Sequence, residues 1–174
     1  FRSRYSQLDR AEEFRAALTR FDGSAVYECE CSRTTIARRP IGVADPCLAH
    51  HLSSGATALR FRTSHGHRSA ATDAALTSLG TDGAEVVAGM GDFVVWRRDD
   101  LPAYHLVSVL EDERLGVDTV VRGDDLRLSS AAQLLLADAL GAHQFAEVRF
   151  VHHELLLDAA GAKMSKRDNA DALP

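Results

Sequence analysis

The sequence predicts an α/β fold that contains a parallel sheet. From Asp92 onward, an apolar run, a helical pattern, a second strand, a second helix and a third strand follow one another. This alternation implies parallel strands joined by right-handed helical crossovers. The chain has 174 residues, of which 45% are hydrophobic and 26% charged, so it is long enough for one domain with a small insert.

Composition excludes several classes of protein. A chain of this composition is not disordered, collagenous or a coiled coil as a whole. No apolar run approaches the roughly 20 residues that cross a bilayer, and no secretory signal opens the chain. We therefore expect a cytoplasmic protein that does not associate with a membrane.

Charge is distributed unevenly along the chain. Asp92 to Asp125 contains nine acidic residues and four arginines, a net charge of −5. Ser24 to Ala70 contains six arginines and three acidic residues, a net charge of +3. An arginine-rich region can contact a phosphate backbone, although an ordinary solvated surface has a similar composition.

The first elements are predicted from apolar spacing. An opening helix ends before Gly23, and five apolar residues at spacings of three and four form its buried face: Leu8, Ala11, Phe14, Leu18 and Phe21. A strand over Ala25 to Cys31 follows. Thr57 to Arg62 alternates as a second strand, with Arg60 and Arg62 on one face. The pattern of residues from Thr63 to Gly91 does not predict a definite helix or strand.

The pattern is clearer after Asp92. Phe93 to Trp96 predicts a buried strand, and Asp99 and Asp100 place carboxylates where the next helix begins. That helix should run from about Pro102 to about Arg114, before Gly116. Val117 to Val121 is the next predicted strand.

A further helix is predicted before the last strand. Ser130 and Gln133 have the spacing of a capping box, and Gly141 should end the helix. Val148 to Val151 is the last predicted strand. A turn over Asp158 to Gly161 then leads to a basic segment.

That segment, Lys163 to Arg167, places three cations and a hydroxyl on a loop after a strand. Such a loop can close onto a triphosphate and neutralise the charge that develops when pyrophosphate leaves. Taken alone, the segment also fits a solvated tail.

The chain has three cysteines, Cys29, Cys31 and Cys47, and no secretory signal. The odd number argues against a disulfide framework and favours either a metal site or buried thiols.

Four motifs occur in a characteristic order: the segment from Asp99 to Leu106, the segment from Val120 to Leu126, the helix after it, and Gly161 to Arg167. Together they resemble the second half of the catalytic domain of the class I glutamyl-tRNA synthetase family, over essentially the whole chain. The cysteine spacing is similar to that of a short branch of this family, which transfers glutamate to queuosine in tRNA(Asp).

The resemblance implies a class I Rossmann-like fold in three parts. Residues 1–23 would be a helix from the first half of the catalytic domain, and residues 24–92 an inserted zinc-binding-like subdomain. Residues 93–174 would be the second half of the domain. The branch's zinc pattern places tyrosine where this chain has Val43, which cannot bind metal. Zinc at Cys29, Cys31 and Cys47 would thus need a fourth donor from Asp45, His50, His51 or water.

The resemblance also implies functional residues. Tyr104 and Arg122 match positions that bind glutamate, and Lys166, helped by Lys163 and Ser165, would hold the ATP phosphates. The alternatives are an ion pair of Arg122 with Asp124 or Asp125, and a Tyr104 side chain packed in the core. No chemistry is assigned to His105, His152 or His153.

The implied reaction is ATP-dependent formation of glutamyl-adenylate, with Mg²⁺ assisting, followed by transfer to tRNA. We expect a monomer with an incomplete active site, because the family's nucleotide-binding signature in the first half is not found here. The alternatives are part of a synthetase that charges the tRNA 3′ end, a non-catalytic RNA-binding paralogue, and an α/β domain without a nucleotide ligand.

Overall fold

The computed structural model describes residues 8–31, 35, 57–65 and 68–155. The helices in this part of the chain are α1 (Ala11–Ala17), α2 (Ala70–Ser78), α3 (Gly83–Met90), α4 (Tyr104–Leu115) and α5 (Arg127–Ala139). The strands are β1 (Val26–Cys29), β2 (Ala58–Phe61), β3 (Phe93–Trp96), β4 (Thr119–Gly123) and β5 (Arg149–His153).

The described strands form two sheets. β4 and β5 are parallel and are joined through α5, with Thr119 paired to Arg149 and Gly123 paired to His153. This pair confirms the predicted parallel crossover. The other three strands form an antiparallel sheet in the order β1, β2, β3.

The predicted parallel direction of β3 is therefore wrong. Its apolar run does form a strand, but it pairs antiparallel with β2, with Phe93 opposite Phe61. An apolar run predicts that a strand is buried and carries no information about the direction of its partner. The predicted division of the chain at residues 92 and 93 stays a prediction.

One hydrophobic core connects the helices to the antiparallel sheet. Phe61 lies between Phe21 and Phe93, with ring centroids 5.9 and 5.5 Å away. The opening helix contributes Phe14, which is fully buried as predicted. Helix α5 is buried continuously from Ser129 to Ala137. Its polar residues in this span therefore lie inside the protein and need hydrogen-bond partners there.

Helices α2 and α3 occupy the region for which the sequence predicted no element. Ser69 caps α2 through a hydrogen bond from the Thr72 amide, and Asp82 caps α3 through a bond of 2.9 Å from the Glu85 amide. Ser and Asp are favoured N-cap residues, and Asp82 with Glu85 has the spacing of a capping box. This local signal could have identified α3 in an alanine-rich sequence.

Helix α4 begins at Tyr104, close to the predicted start at about Pro102. Ala103 occupies the N-cap, and no side chain bonds to the helix there. Asp100 instead accepts a hydrogen bond of 3.0 Å from the Trp96 indole and pairs with Arg15. The Trp96 bond, followed by the contact with Arg15, holds the pKa of Asp100 below its ordinary value.

The end of α4 is as predicted, but the start of α5 is not. Gly116 caps the C-terminus of α4 in the left-handed conformation, with φ of 64°. Helix α5 begins at Arg127, after a 3₁₀ turn over Asp124–Leu126. Ser130 and Gln133 thus lie inside the helix, and the predicted capping box is wrong.

One arginine of the arginine-rich region, Arg60 on β2, does not lie on the surface. Arg60 is 7% exposed, and its Nη1 donates to the Asp92 carbonyl oxygen at 2.7 Å. Arg60 therefore points into the interior and is not available to a phosphate backbone.

No helix in the described part of the chain is long and apolar enough to cross a membrane.

Candidate functional site

The candidate site lies at the carboxyl ends of the two parallel strands. Arg122 on β4 and His152 on β5 are direct neighbours in the strand register. Ligands of open α/β sheets bind at this end of the strands, beside the helix that connects them. Here the connecting helix is α5, which contributes Ser130 and Gln133 to the same group of side chains.

Arg122 is held by neutral partners. Its Nη1 donates to Gln133 Oε1 at 2.8 Å and to Ser130 Oγ at 3.3 Å. The Phe150 ring lies beneath the guanidinium, with its centroid 5.5 Å from Cζ. Among the described residues, no carboxylate lies within ion-pair distance of Arg122.

The predicted alternative, an ion pair with a neighbouring acid, is therefore not found in this part of the chain. Asp124 binds Arg127 instead, with 3.0 Å between Arg127 Nε and Asp124 Oδ1. Asp112 is the acid whose charge acts on Arg122 from farther away. Burial raises the pKa of Asp112, an effect that the positive charge of Arg122 and a bond from Ser108 oppose.

Ser130 links Arg122 to His152. Its hydroxyl donates to the Leu126 carbonyl oxygen at 3.1 Å, and His152 Nε2 lies 2.9 Å from the same Oγ. A hydroxyl has one proton and two lone pairs. When the proton is directed to Leu126, the lone pairs accept from Arg122 and, in the tautomer with a proton on Nε2, from His152. Burial, then the charges of Arg127 and Arg122, lower the pKa of His152.

A second histidine, His105, lies near enough for the charge of Arg122 to act on it. His105 on α4 has its Nε2 2.9 Å from Ser129 Oγ, and its ring packs 4.7 Å from that of Phe93. Burial, together with the nearby positive charge of Arg122, lowers the pKa of His105 to about 4. His105 is therefore neutral near pH 7 and does not add to the positive charge of the site.

Tyr104 lies beside His105 on α4. It is the first residue of α4 and is 55% exposed, so it does not pack in the core. Its ring meets the His105 ring edge-on at 5.3 Å. Tyr104 is thus in ring contact with His105. The prediction that Tyr104 and Arg122 bind the same substrate stays a prediction.

Sequence analysis missed four members of this group: Ser130, Gln133, His105 and His152. Ser130 and Gln133 carried a signal, because polar residues within the apolar pattern of α5 must find partners in the interior. Their spacing of three residues places both on one face of the helix. That face is directed toward β4.

The metal and phosphate predictions fall mostly outside the described residues. Cys29 is fully buried, and its Sγ accepts a hydrogen bond of 3.4 Å from the Cys31 amide. Cys47, Val43 and the segment that contains Lys163, Ser165 and Lys166 lie outside the described ranges. Within those ranges, no three histidine, cysteine or acidic side chains are grouped as a metal site would require.

Comparison with known proteins places the chain among synthetases. Residues 47–173 match the family model for "tRNA synthetases class I (E and Q), catalytic domain". A glutamyl-Q tRNA(Asp) synthetase from Methylococcus capsulatus is 37% identical over 164 residues, which are 92% of this chain and 52% of that protein. The enzyme of the same name from Geobacter sulfurreducens is also 37% identical, over 96% of this chain and 54% of its own length.

The fold agrees with a solved structure. The glutamate-tRNA synthetase from Elizabethkingia anophelis superposes with a TM-score of 0.60 over 99% of this chain and 39% of that protein, at 17% sequence identity. This likeness concerns the fold. The chain spans about half the length of the curated relatives it matches.

Proposed function

Because the chain belongs to the class I tRNA synthetase family for glutamate and glutamine, within its catalytic domain, we propose that it is part of a ligase that activates glutamate with ATP. The glutamyl group would then pass to a tRNA. Tyr104 and Arg122 bind glutamate in this proposal. The three-part domain organisation predicted from the sequence is part of the same proposal.

One observation supports the glutamate assignment above the others: Arg122 has a full charge and neutral partners. Arginine pairs with carboxylates through two parallel N–H bonds. Its hydrogen bonds go to Gln133 and Ser130, and no described carboxylate lies within ion-pair distance of it. A substrate carboxylate would supply the missing negative charge at the end of the sheet where ligands bind.

The proposed reaction has two steps. A glutamate carboxylate oxygen attacks the α-phosphorus of ATP, the bond to the β-phosphate oxygen breaks, and pyrophosphate leaves with the bonding electron pair. A nucleophilic hydroxyl of the tRNA then loses its proton and attacks the glutamyl carbonyl carbon, the bond from that carbon to the phosphate oxygen breaks, and AMP leaves. Mg²⁺ bound to the ATP phosphates would neutralise part of their charge.

Lys163, Ser165 and Lys166 are proposed to act on the phosphates. Their spacing on a basic loop supports this role, because positioning and charge neutralisation supply most of the catalysis in phosphoryl chemistry. Lys166 would hold the ATP phosphates, and the other two would assist. This part of the proposal is based on the sequence.

The acceptor is proposed to be queuosine in the anticodon of tRNA(Asp). The names of the Methylococcus and Geobacter relatives support this choice over the 3′ end of a tRNA. Transfer of labelled glutamate to tRNA(Asp) with and without queuosine, and to tRNA(Glu), separates the two. Labelling of tRNA(Glu) alone would show that the protein charges the 3′ end.

Zinc is part of the proposal only through the spacing of Cys29, Cys31 and Cys47. Two described thiols are fewer than the four donors of a structural zinc site, so no step of the reaction is assigned to the metal. Elemental analysis of protein purified without chelators tests it. An equimolar zinc content is expected for a metal site, and less than about a tenth of an equivalent would mean that the three cysteines hold no metal.

ATP–pyrophosphate exchange tests the activation step directly. In the gene product that contains this chain, exchange should require glutamate and should be lost in Lys166→Ala. Lys166→Arg serves as the matched variant, because it keeps the positive charge. Exchange that is independent of glutamate would contradict the proposal, and tRNA binding without any exchange would favour a non-catalytic RNA-binding paralogue.

A further inference from the structure

We propose that Gln133, supported by Ser130, is a positioning residue that orients Arg122 toward the substrate carboxylate. The inference rests on the proposed function for the identity of the substrate. It extends that function to residues that do not themselves contact glutamate. The observations that carry it are the geometry of the Arg122 hydrogen bonds and an unpaired buried donor on Gln133.

The hydrogen bonds of Arg122 use one end of its guanidinium. A guanidinium has five N–H donors, two of them on Nη1. Both Nη1 donors are engaged, one by Gln133 and one by Ser130. Among the described residues, the donors on Nε and Nη2 have no partner. These donors lie side by side on the opposite edge of the group, where they can bind two oxygens of one carboxylate.

The Gln133 side chain is costly to keep in this position. The residue is fully buried, and its Nε2 has no hydrogen-bond partner in the described structure. A buried donor without a partner is destabilising. A methionine of similar size would avoid this cost, so stability alone does not explain why residue 133 is a glutamine. The hydrogen bond that Gln133 Oε1 accepts from Arg122 does explain it.

The neutral charge of Gln133 matters as much as its oxygen. A glutamate at this position would also accept from Nη1, but its charge would compensate Arg122 and weaken the attraction for a substrate carboxylate. Ser130 is neutral as well, and the pKa of His105 is low enough that this ring stays neutral. The network therefore fixes the direction of Arg122 and preserves its charge.

Gln133→Met and Gln133→Glu test the two aspects separately in the gene product that contains this chain. For Gln133→Met we expect the KM for glutamate in ATP–pyrophosphate exchange to rise about tenfold, the value for one hydrogen bond to a charged group. The KM for ATP should stay unchanged, and the Tm should not fall. For Gln133→Glu the KM for glutamate should also rise. Gln144→Met, the same change at an exposed residue, is the matched control.

A measurement without substrate makes the test independent of the proposed function. The ¹⁵N relaxation of the Arg122 Nε–H group, identified by its loss in Arg122→Lys, reports how firmly the guanidinium is held. The Arg122 guanidinium should become more mobile in Gln133→Met and stay ordered in Gln133→Glu. A lower Tm with unchanged Arg122 mobility and unchanged KM would overturn the inference. Ordered Arg122 that depends on Gln133, in a protein without glutamate-dependent exchange, would contradict only the proposed function.

Discussion

Arg122 and Gln133 are eleven residues apart and are joined by a hydrogen bond of 2.8 Å from Nη1 to Oε1. The bond connects the carboxyl end of β4 to the interior of α5, the helix that crosses over to β5. A charged group on the sheet is thus oriented by a neutral group in the crossover helix. Binding of a substrate carboxylate would depend on residues that never touch the substrate.

We predict that His105 makes stability depend on pH. Its pKa is about 4 in the folded protein against an ordinary value of 6.5, so between these values the unfolded chain binds a proton that the folded chain does not. Stability should therefore increase with pH across this window, with a slope from this residue of at most about 1.4 kcal/mol per pH unit. Urea unfolding between pH 4 and pH 7 measures the slope.

The control for this prediction is His105→Gln, which can still bond to Ser129 but does not titrate. Its stability should depend less on pH in the same window. Equal pH slopes in the parent and the variant would show that His105 is not responsible.

Removal of the Asp82 side chain should destabilise α3. The carboxylate accepts the Glu85 amide at 2.9 Å, and loss of such a cap costs about 1 kcal/mol of unfolding free energy. Chemical denaturation of Asp82→Ala measures the change. Asp118→Ala is the matched control, because Asp118 is exposed and lies outside the helices. Similar losses in both variants would contradict a capping role.

The 174-residue chain by itself is predicted not to form glutamyl-adenylate. It spans about half the length of its curated relatives, and correct positioning of reacting groups supplies most of the rate in this chemistry. Weak tRNA binding that falls as salt increases can remain, since it needs only exposed cations. Exchange assays and tRNA titrations of the chain measure the two properties. Full exchange activity in the chain would place the active site elsewhere.

The parallel part of the fold was predictable from the sequence, because its signals are local. Apolar runs define β4 and β5, Gly116 ends the helix before β4, and Gly141 follows the helix between the two strands. The direction of β3 was not predictable, since its partner β2 is more than 30 residues away and the apolar run is the same in either direction. Pairing of distant strands depends on the whole core.

The candidate site was predictable only in part. Arg122 was predicted through its place after a strand and through the family resemblance. Ser130 and Gln133 were interpreted as a helix cap because their spacing fits one. The 3₁₀ turn at Asp124–Leu126 starts the helix earlier and moves both residues inside it. The N-cap is Leu126, four residues before Ser130, so the apparent cap residues instead hydrogen-bond to Arg122.

Glutamate-dependent ATP–pyrophosphate exchange in Arg122→Ala is the most direct test of the central claim, that Arg122 binds the substrate carboxylate. The measurement should use the gene product that contains this chain, with Arg149→Ala as control, because Arg149 is exposed at the opposite end of β5. We predict that Arg122→Ala lowers kcat/KM for glutamate by an amount that corresponds to about 2 to 3 kcal/mol, while Arg149→Ala has little effect. Unchanged exchange in Arg122→Ala would contradict the claim.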